Sequence, residues 1–264
     1  MTTYKAPLRD MQFVMQDLLN IEKHYQSLPA CEEVNQELID AILGEASKFS
    51  EEVIAPLNAV GDAAGCEMLE GGEVKTPPGF KEAYQQYVES GWPSLDQPAR
   101  YGGQDLPMSI GLPIREMNGT ANWSWAMYPG LSHGAMETIE EHGSAEQKAM
   151  FMEPLVSGHW TGTMCLTEAH SGTDLGLLKC KAEQAAGGNY RITGSKLFVS
   201  SGEHDLAENI VHIVLARLPD SPPGTKGISL FIVPKFIPNE DGTIGERNDV
   251  TCGVLEHKMG IHGN

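Results

Sequence analysis

Apolar positions recur at helical spacing through the first 158 residues, and the texture turns to β after Gly158. Between Leu8 and His24, Met11, Met15, Leu18 and Leu19 fall near one helical face. Val34 to Val60 repeats the pattern through Leu38, Ile42 and Phe49 until Pro56 disturbs it. Phe80 to Ser90 groups Tyr84, Tyr87 and Val88, and Gly91 and Pro93 end it. Ile110 to Met117, Met136 to His142 and Glu146 to Val156 read as further helices. Ser144 to Gln147 has the spacing of a capping box for the last of these. Gly61 to Gly79 and Gly91 to Pro107 are rich in Gly and Pro and read as loops.

Beyond Gly158, Trp160 to Thr167 mixes Thr, Trp and Leu as a strand does. Tyr190 to Ser200 predicts a hairpin turning at Gly194-Ser195. Ile210 to Leu218 and Ile228 to Val233 are β-branched runs bounded by Pro and Gly. Helices followed by strands predict an α+β chain with a helical domain over 1–158 and a β domain over 159–264.

Composition narrows the function. The 264 residues carry a formal charge of −18, so gripping nucleic acid through its phosphates is a poor fit. Backbone N–H groups can still bind an anionic ligand. Cys31, Cys66, Cys165, Cys180 and Cys252 are scattered, without a CxxC pair, which predicts reduced intracellular thiols. No apolar run approaches membrane-spanning length, and the N-terminus lacks the apolar core of a signal peptide. A cytoplasmic protein without a membrane span is expected. GxGxxG opening a helix, GxxxxGK[ST], HExxH and GxSxG are all missing. His257 and His262, five apart, read as solvated loop residues, so no metal site is expected.

Two segments remain. In Met164-Cys165-Leu166-Thr167-Glu168-Ala169-His170-Ser171-Gly172-Thr173-Asp174 an apolar strand ends in a hydroxyl and an acid, and a loop follows. Such a strand end can offer N–H groups and Thr hydroxyls to a ligand's polar edge. A strand running into a turn stabilised by local Thr and Asp bonds explains the same residues. In Gly194 to Gly202, alternation would put Leu197 and Val199 on one strand face and Phe198 and Ser200 on the other. Phe198 with Ser200 suits a flat heteroaromatic ring, and an ordinary hairpin with Phe198 in a core is the alternative.

The two segments, about 30 residues apart and in this order, resemble the flavin-binding signatures of the acyl-CoA dehydrogenase family. The usual forms are C-x-T-E-P-x-x-G-S-D and K-x-[WF]-I-[TS]-x-G. Cys165, Thr167, Glu168, Gly172 and Asp174 match the first; Lys196, Phe198, Ser200 and Gly202 match the second. Ala169 stands for Pro, Thr173 for Ser and Phe198 for the commoner Trp. Gly91-Trp92-Pro93-Ser94-Leu95, Pro98 to Pro107, His142 to Lys148 and Glu256 to Ile261 resemble other elements of the family. The N-terminal leader and Glu203 to Asn209 resemble the long bacterial branch that includes the 3-methylmercaptopropionyl-CoA dehydrogenase-like enzymes.

The resemblance implies an N-terminal helical domain and a β-barrel-like middle domain, with the family's C-terminal helical domain absent from this chain. It implies FAD as cofactor and α,β-dehydrogenation of an acyl-CoA thioester, as in β-oxidation. An electron-transferring flavoprotein would be the partner, and the full-length protein a homo-oligomer. The catalytic glutamate would lie outside these residues, with Glu168 serving the loop's structure. Met164, Leu166 and Thr167 would line or bond the flavin. Gly172 and Thr173 would face its phosphates, with Thr173 also reaching the substrate's pantetheine arm. Phe198 and Ser200 would approach the ring, and Asn118 to Ser124 would border the acyl pocket; plain packing, with Trp123 and Trp125 filling a core, accounts for that last stretch equally. The same framework serves acyl-CoA oxidases. A non-catalytic binding or assembly subunit derived from the fold is the remaining alternative.

Overall fold

The computed structural model describes residues 4–264. Eight helices come first: α1 (Leu8–Gln12), α2 (Ile21–Gln26), α3 (Gln36–Lys48), α4 (Ala55–Ala64), α5 (Phe80–Glu89), α6 (Met108–Ala121), α7 (Trp123–His142) and α8 (Ala145–Val156). Strands β3 (Trp160–Cys165), β4 (Lys181–Gln184), β5 (Tyr190–Thr193), β6 (Asn209–Arg217) and β7 (Ile228–Pro234) then form one sheet. A short hairpin, β1 (Glu67–Met68) with β2 (Val74–Lys75), interrupts the helices, and β8 (Phe236–Pro238) pairs with β9 (Ile244–Arg247) as a separate ribbon. The barrel-like arrangement expected after residue 158 thus takes the form of a mixed five-stranded sheet plus a ribbon.

Several sequence expectations shift for identifiable reasons. The turn Phe13–Leu18 is π-helical, which moves the side-chain phase, so Met11 and Met15 are buried while Leu18 and Leu19 lie in solvent. In α3 the buried face runs through Ile39, Leu43 and Ala46, leaving Leu38 exposed. A second π turn, Phe49–Ile54, leads into α4, where Pro56 sits in the first turn and needs no N–H partner. The predicted loop Gly61 to Gly79 therefore begins inside α4 and contains the β1–β2 hairpin. Helix α7 is 20 residues long and begins well before Met136. Asn122 breaks α6 from α7 with an extended backbone, and its side chain accepts from the Trp125 N–H at 3.1 Å. The Ser144–Gln147 capping box is present.

The helical and sheet halves meet at α7 and β3. A Cβ on Gly162 would stand 2.4 Å from Ala135 Cβ, so only glycine lets the strand lie this close to the helix. Ala135, Met136 and Ile139 pack with Leu155, Trp160 and Val211 in the core between them.

Strand β6 is the centre of the sheet, and its apolar run is buried almost throughout. One edge carries β7 antiparallel. The other carries β3 parallel, Trp160–Cys165 against Asn209–Val214, and then β4 at Lys181 opposite Arg217. Between Leu166 and Cys180 the chain leaves that edge, and the first signature segment occupies this excursion. Arg217 pins it: Nε donates to Leu178 O at 2.7 Å and Nη2 to Gly176 O at 2.8 Å.

Candidate functional site

The second signature segment does not continue the hairpin. Strand β5 pairs with β4 and stops at Thr193. Phe198 and Ser201 take left-handed backbone conformations (φ +55° and +56°), so the alternation that placed Phe198 and Ser200 on one strand face does not apply. The cause is a set of bonds to the first segment. Leu197 N–H donates to Thr167 O at 2.8 Å, and Lys196 Nζ donates to Leu166 O at 3.0 Å and to Glu168 Oε1 at 2.9 Å. These contacts pull the chain out of the sheet and leave Phe198 56% exposed.

Glu168 is the hub of this junction. Beyond Lys196 it accepts from the Lys179 N–H at 2.7 Å and the Cys180 N–H at 2.9 Å. Its backbone is bridged to Ser171 in both directions. Burial alone would raise its carboxyl, but bonds from Cys180, Lys179 and Lys196 outweigh that and hold it at about 2. The same surroundings push the Cys180 thiol up to about 11, chiefly through burial. A carboxylate so fully engaged is a structural anion rather than a proton acceptor.

Beneath the excursion, Thr161 and Thr163 of β3 meet two buried imidazoles. The His204 Nδ1 accepts from the Leu206 N–H at 3.1 Å, so its Nε2 donates to Thr161 Oγ1 at 3.0 Å. The His212 Nδ1 lies 2.7 Å from Thr163 Oγ1. Burial brings the two rings down to about 3 and about 4 respectively, so both are neutral.

A groove of about 1310 Å³ runs along the sheet face and is lined by Lys196, Leu197 and Phe198 among others. Of the predicted site residues, Phe198 borders it. Met164, Leu166, Thr167, Gly172, Thr173 and Ser200 lie outside its lining. Met164, Gly172 and Thr173 are exposed, while Leu166, Thr167 and Ser200 are half-buried. Asn118 and Ser124 are buried on α6 and α7. Asn264 Nδ2 bonds Ser124 O at 3.2 Å and Ser201 Oγ at 3.0 Å, which ties the start of α7 to the second segment.

A second site lies in the helical half, and of the stretch expected to border an acyl pocket it takes Asn118 and Trp123 into its lining. A cavity of about 330 Å³ lies among α5, α6 and α7 and is walled by Tyr87, Trp92, Trp123 and Met127. Asp96, Arg115 and His133 also line it. Arg115 Nη1 donates to Asp96 Oδ2 at 2.7 Å, and His133 Nε2 stands 3.5 Å from Asp96 Oδ1. Three separate segments supply these groups, so no local pattern betrays them. The one readable sign is Gly111, four residues before Arg115: a Cβ there would be 2.3 Å from Asp96 Oδ2.

Comparison with known proteins agrees with this architecture. Residues 36–159 match the family model described as acyl-CoA dehydrogenase, N-terminal domain, and residues 163–264 match the middle domain. The chain is similar to 3-methylmercaptopropionyl-CoA dehydrogenase of Ruegeria pomeroyi, with 42% identity over 262 residues, covering 99% of this chain and 44% of that protein. It is 40% identical over 270 residues to a butyryl-CoA dehydrogenase of Syntrophomonas wolfei, covering 99% of this chain and 43% of that protein. The chain thus spans under half the length of these relatives. The solved butyryl-CoA dehydrogenase of Megasphaera elsdenii shares the fold at a TM-score of 0.65 and 24% identity, over 87% of this chain and 54% of that one. Two domain models laid end to end over the helical and sheet halves place the chain in the acyl-CoA dehydrogenase family, whose N-terminal and middle domains it carries.

Proposed function

We propose that this chain forms the flavin-holding part of an FAD-dependent acyl-CoA dehydrogenase, which oxidises a fatty-acyl or related acyl-CoA thioester between its α and β carbons. The observation that carries the reading is the junction of the two signature segments. Three hydrogen bonds fasten them together, and Phe198 is left exposed on a rigid support. An exposed aromatic ring on the wall of a groove fits a flat heterocycle.

In this reading Phe198 and Ser200 hold the ring from one segment, and Met164, Leu166 and the Thr167 hydroxyl hold it from the other. Gly172 and Thr173, exposed in the excursion, meet the phosphates, and Thr173 also reaches the pantetheine arm. When bound, FAD supplies the acceptor for the β-hydride. The protein's task is to bind the thioester, keep water away and polarise its carbonyl so that the α-proton can leave. Glu168 is committed to Lys196 and two backbone N–H groups, so we place the proton-accepting carboxylate outside these 264 residues. An electron-transferring flavoprotein as electron acceptor, a homo-oligomeric full-length enzyme and a cytoplasmic location complete the proposal. No helix among the described residues is long and apolar enough to cross a membrane.

The test is FAD binding by the purified chain, followed through quenching of flavin fluorescence. Saturable binding, weakened about tenfold by Phe198→Ala, is expected from the loss of one stacked aromatic. Binding that ignores Phe198→Ala and Ser200→Ala would refute the assignment of the ring site.

A further inference from the structure

The cavity in the helical half has the features of a built ligand site. Its volume, about 330 Å³, is roughly twice that of an engineered cavity that takes benzene, so about a dozen non-hydrogen atoms fit. Tyr84, Tyr87, Trp92, Trp123, Met127 and Met136 give it an apolar wall. Against them stands one charged pair, Asp96 with Arg115, whose Asp96 side chain is only 4% exposed. Gly111 makes the space for this pair, because a Cβ would reach both Asp96 Oδ2 and Arg115 Nη1. Burial would raise the Asp96 carboxyl, yet the nearby His133 imidazole and the bond from Arg115 prevail and hold it at about 2, so it is an anion.

The pair is unequal in what it leaves unused. Arg115, whose side chain is 31% exposed, spends Nη1 on Asp96, and among the described residues its other N–H groups have no protein partner and are open to solvent or a ligand. Three residues along α6, Asn118 is 4% exposed and lines the same cavity. Ser50 takes one end of its amide, and the other end is without a partner. The polar end of the cavity therefore offers spare N–H donors. Asp96 already cancels the guanidinium charge, so a second anion would be repelled while a neutral acceptor would not.

We propose that this cavity seats an apolar chain bearing one uncharged hydrogen-bond acceptor, and that Arg115 holds the acceptor. Resting on the acyl-CoA reading above, this makes the substrate an acyl thioester whose tail carries a keto, ether or hydroxyl oxygen. A plain alkyl tail fills the apolar wall and leaves Arg115 unanswered. A tail ending in carboxylate meets Asp96.

Calorimetry on the full chain tests this with octanoyl-CoA and 7-oxooctanoyl-CoA, and with free 2-octanone as a probe that needs neither CoA nor flavin. The 7-oxo thioester is expected to bind about tenfold tighter than octanoyl-CoA, as one bond to a charged donor implies. The double change Asp96→Asn with Arg115→Gln removes both charges together, and should bring the ratio of the two thioester affinities to about one, whatever it does to octanoyl-CoA itself. 2-Octanone should shift the ¹³C-methyl NMR signals of Met127 and Met136, and Met127→Trp, which fills the cavity, should abolish its binding. Equal affinity for the two thioesters overturns the proposal and leaves the acyl-CoA reading standing. So does a preference that survives the double change. Binding of 2-octanone that depends on Arg115, with neither thioester bound, supports the cavity chemistry and overturns the acyl-CoA reading. No binding of any of the three probes overturns both.

Discussion

Replacing Glu168 by Gln isolates the anion at the junction of the two signature segments. The carboxyl is held at about 2, against an ordinary value of 4.5. A depression of that size corresponds to about 3 kcal/mol of stability, present above pH 4.5 and lost as pH falls toward 2. The unfolded chain takes up the proton first, which fixes the sign. Lys196, 9% exposed, loses its charged partner in the variant and keeps only Leu166 O. Glu168→Gln is therefore expected to be less stable by about 3 kcal/mol at pH 7, and the gap should close as pH falls from 5 to 2.5. Urea unfolding followed by Trp fluorescence across that range gives the difference. Other depressed acids such as Asp96 act in both proteins and cancel. Faster amide exchange at Leu197, whose N–H binds Thr167 O, should accompany the loss. A gap that stays constant with pH would refute the assignment of Glu168 as the anion that closes the junction.

Three further outcomes are expected. Gly162→Ala should destabilise by about 2 kcal/mol or more, since its Cβ would stand 2.4 Å from Ala135 Cβ in the seam between α7 and β3, and a shift in the thermal midpoint reads this directly. Gly111→Ala should cost about 1–3 kcal/mol by displacing the Asp96–Arg115 pair; thermal unfolding unchanged from the parent would show that the pair tolerates the methyl group. His204 and His212 stay neutral in the folded protein to about pH 3 and 4, while the unfolded chain protonates both below about 6.5. Stability should thus fall with acidification below pH 6.5, approaching about 2.7 kcal/mol per pH unit from the two rings, and His204→Gln with His212→Gln should flatten that slope.

Much of the fold is legible where a local rule decides it. Ser144 and Gln147 form their capping box, and the β-branched run from Ile210 becomes the central strand. Helix α7 is legible only at its end, because Pro129, Gly130 and Gly134 break the sequence pattern that tertiary packing overrides. The path of Lys196 to Ser200 is not legible at all. Alternation predicts a strand there, but Leu166, Thr167 and Glu168, 30 residues away, offer the acceptors that draw it aside. Phe198 is exposed on a left-handed turn, not set on the strand face that alternation predicts. The Asp96–Arg115–His133 cluster depends on three segments meeting, and only Gly111 marks the place in advance.

The parallel pairing of β3 with β6 ties the candidate ring site to the stability of the sheet. The stretch between Cys165 and Asn209 holds the second signature segment, the β4–β5 hairpin and the first segment beyond Cys165, so apart from Met164 on β3 the candidate ring site lies on a loop that the β3–β6 pairing closes. Closing a loop of this length costs chain entropy. The bonds from Leu197 to Thr167 and from Lys196 to Leu166 and Glu168 shorten that loop, so the junction lowers the entropy cost of closing the β3–β6 seam. Damage to the seam then removes the support of the site, and damage at the junction weakens the seam in turn, which is why Glu168→Gln is read in the stability of the whole chain.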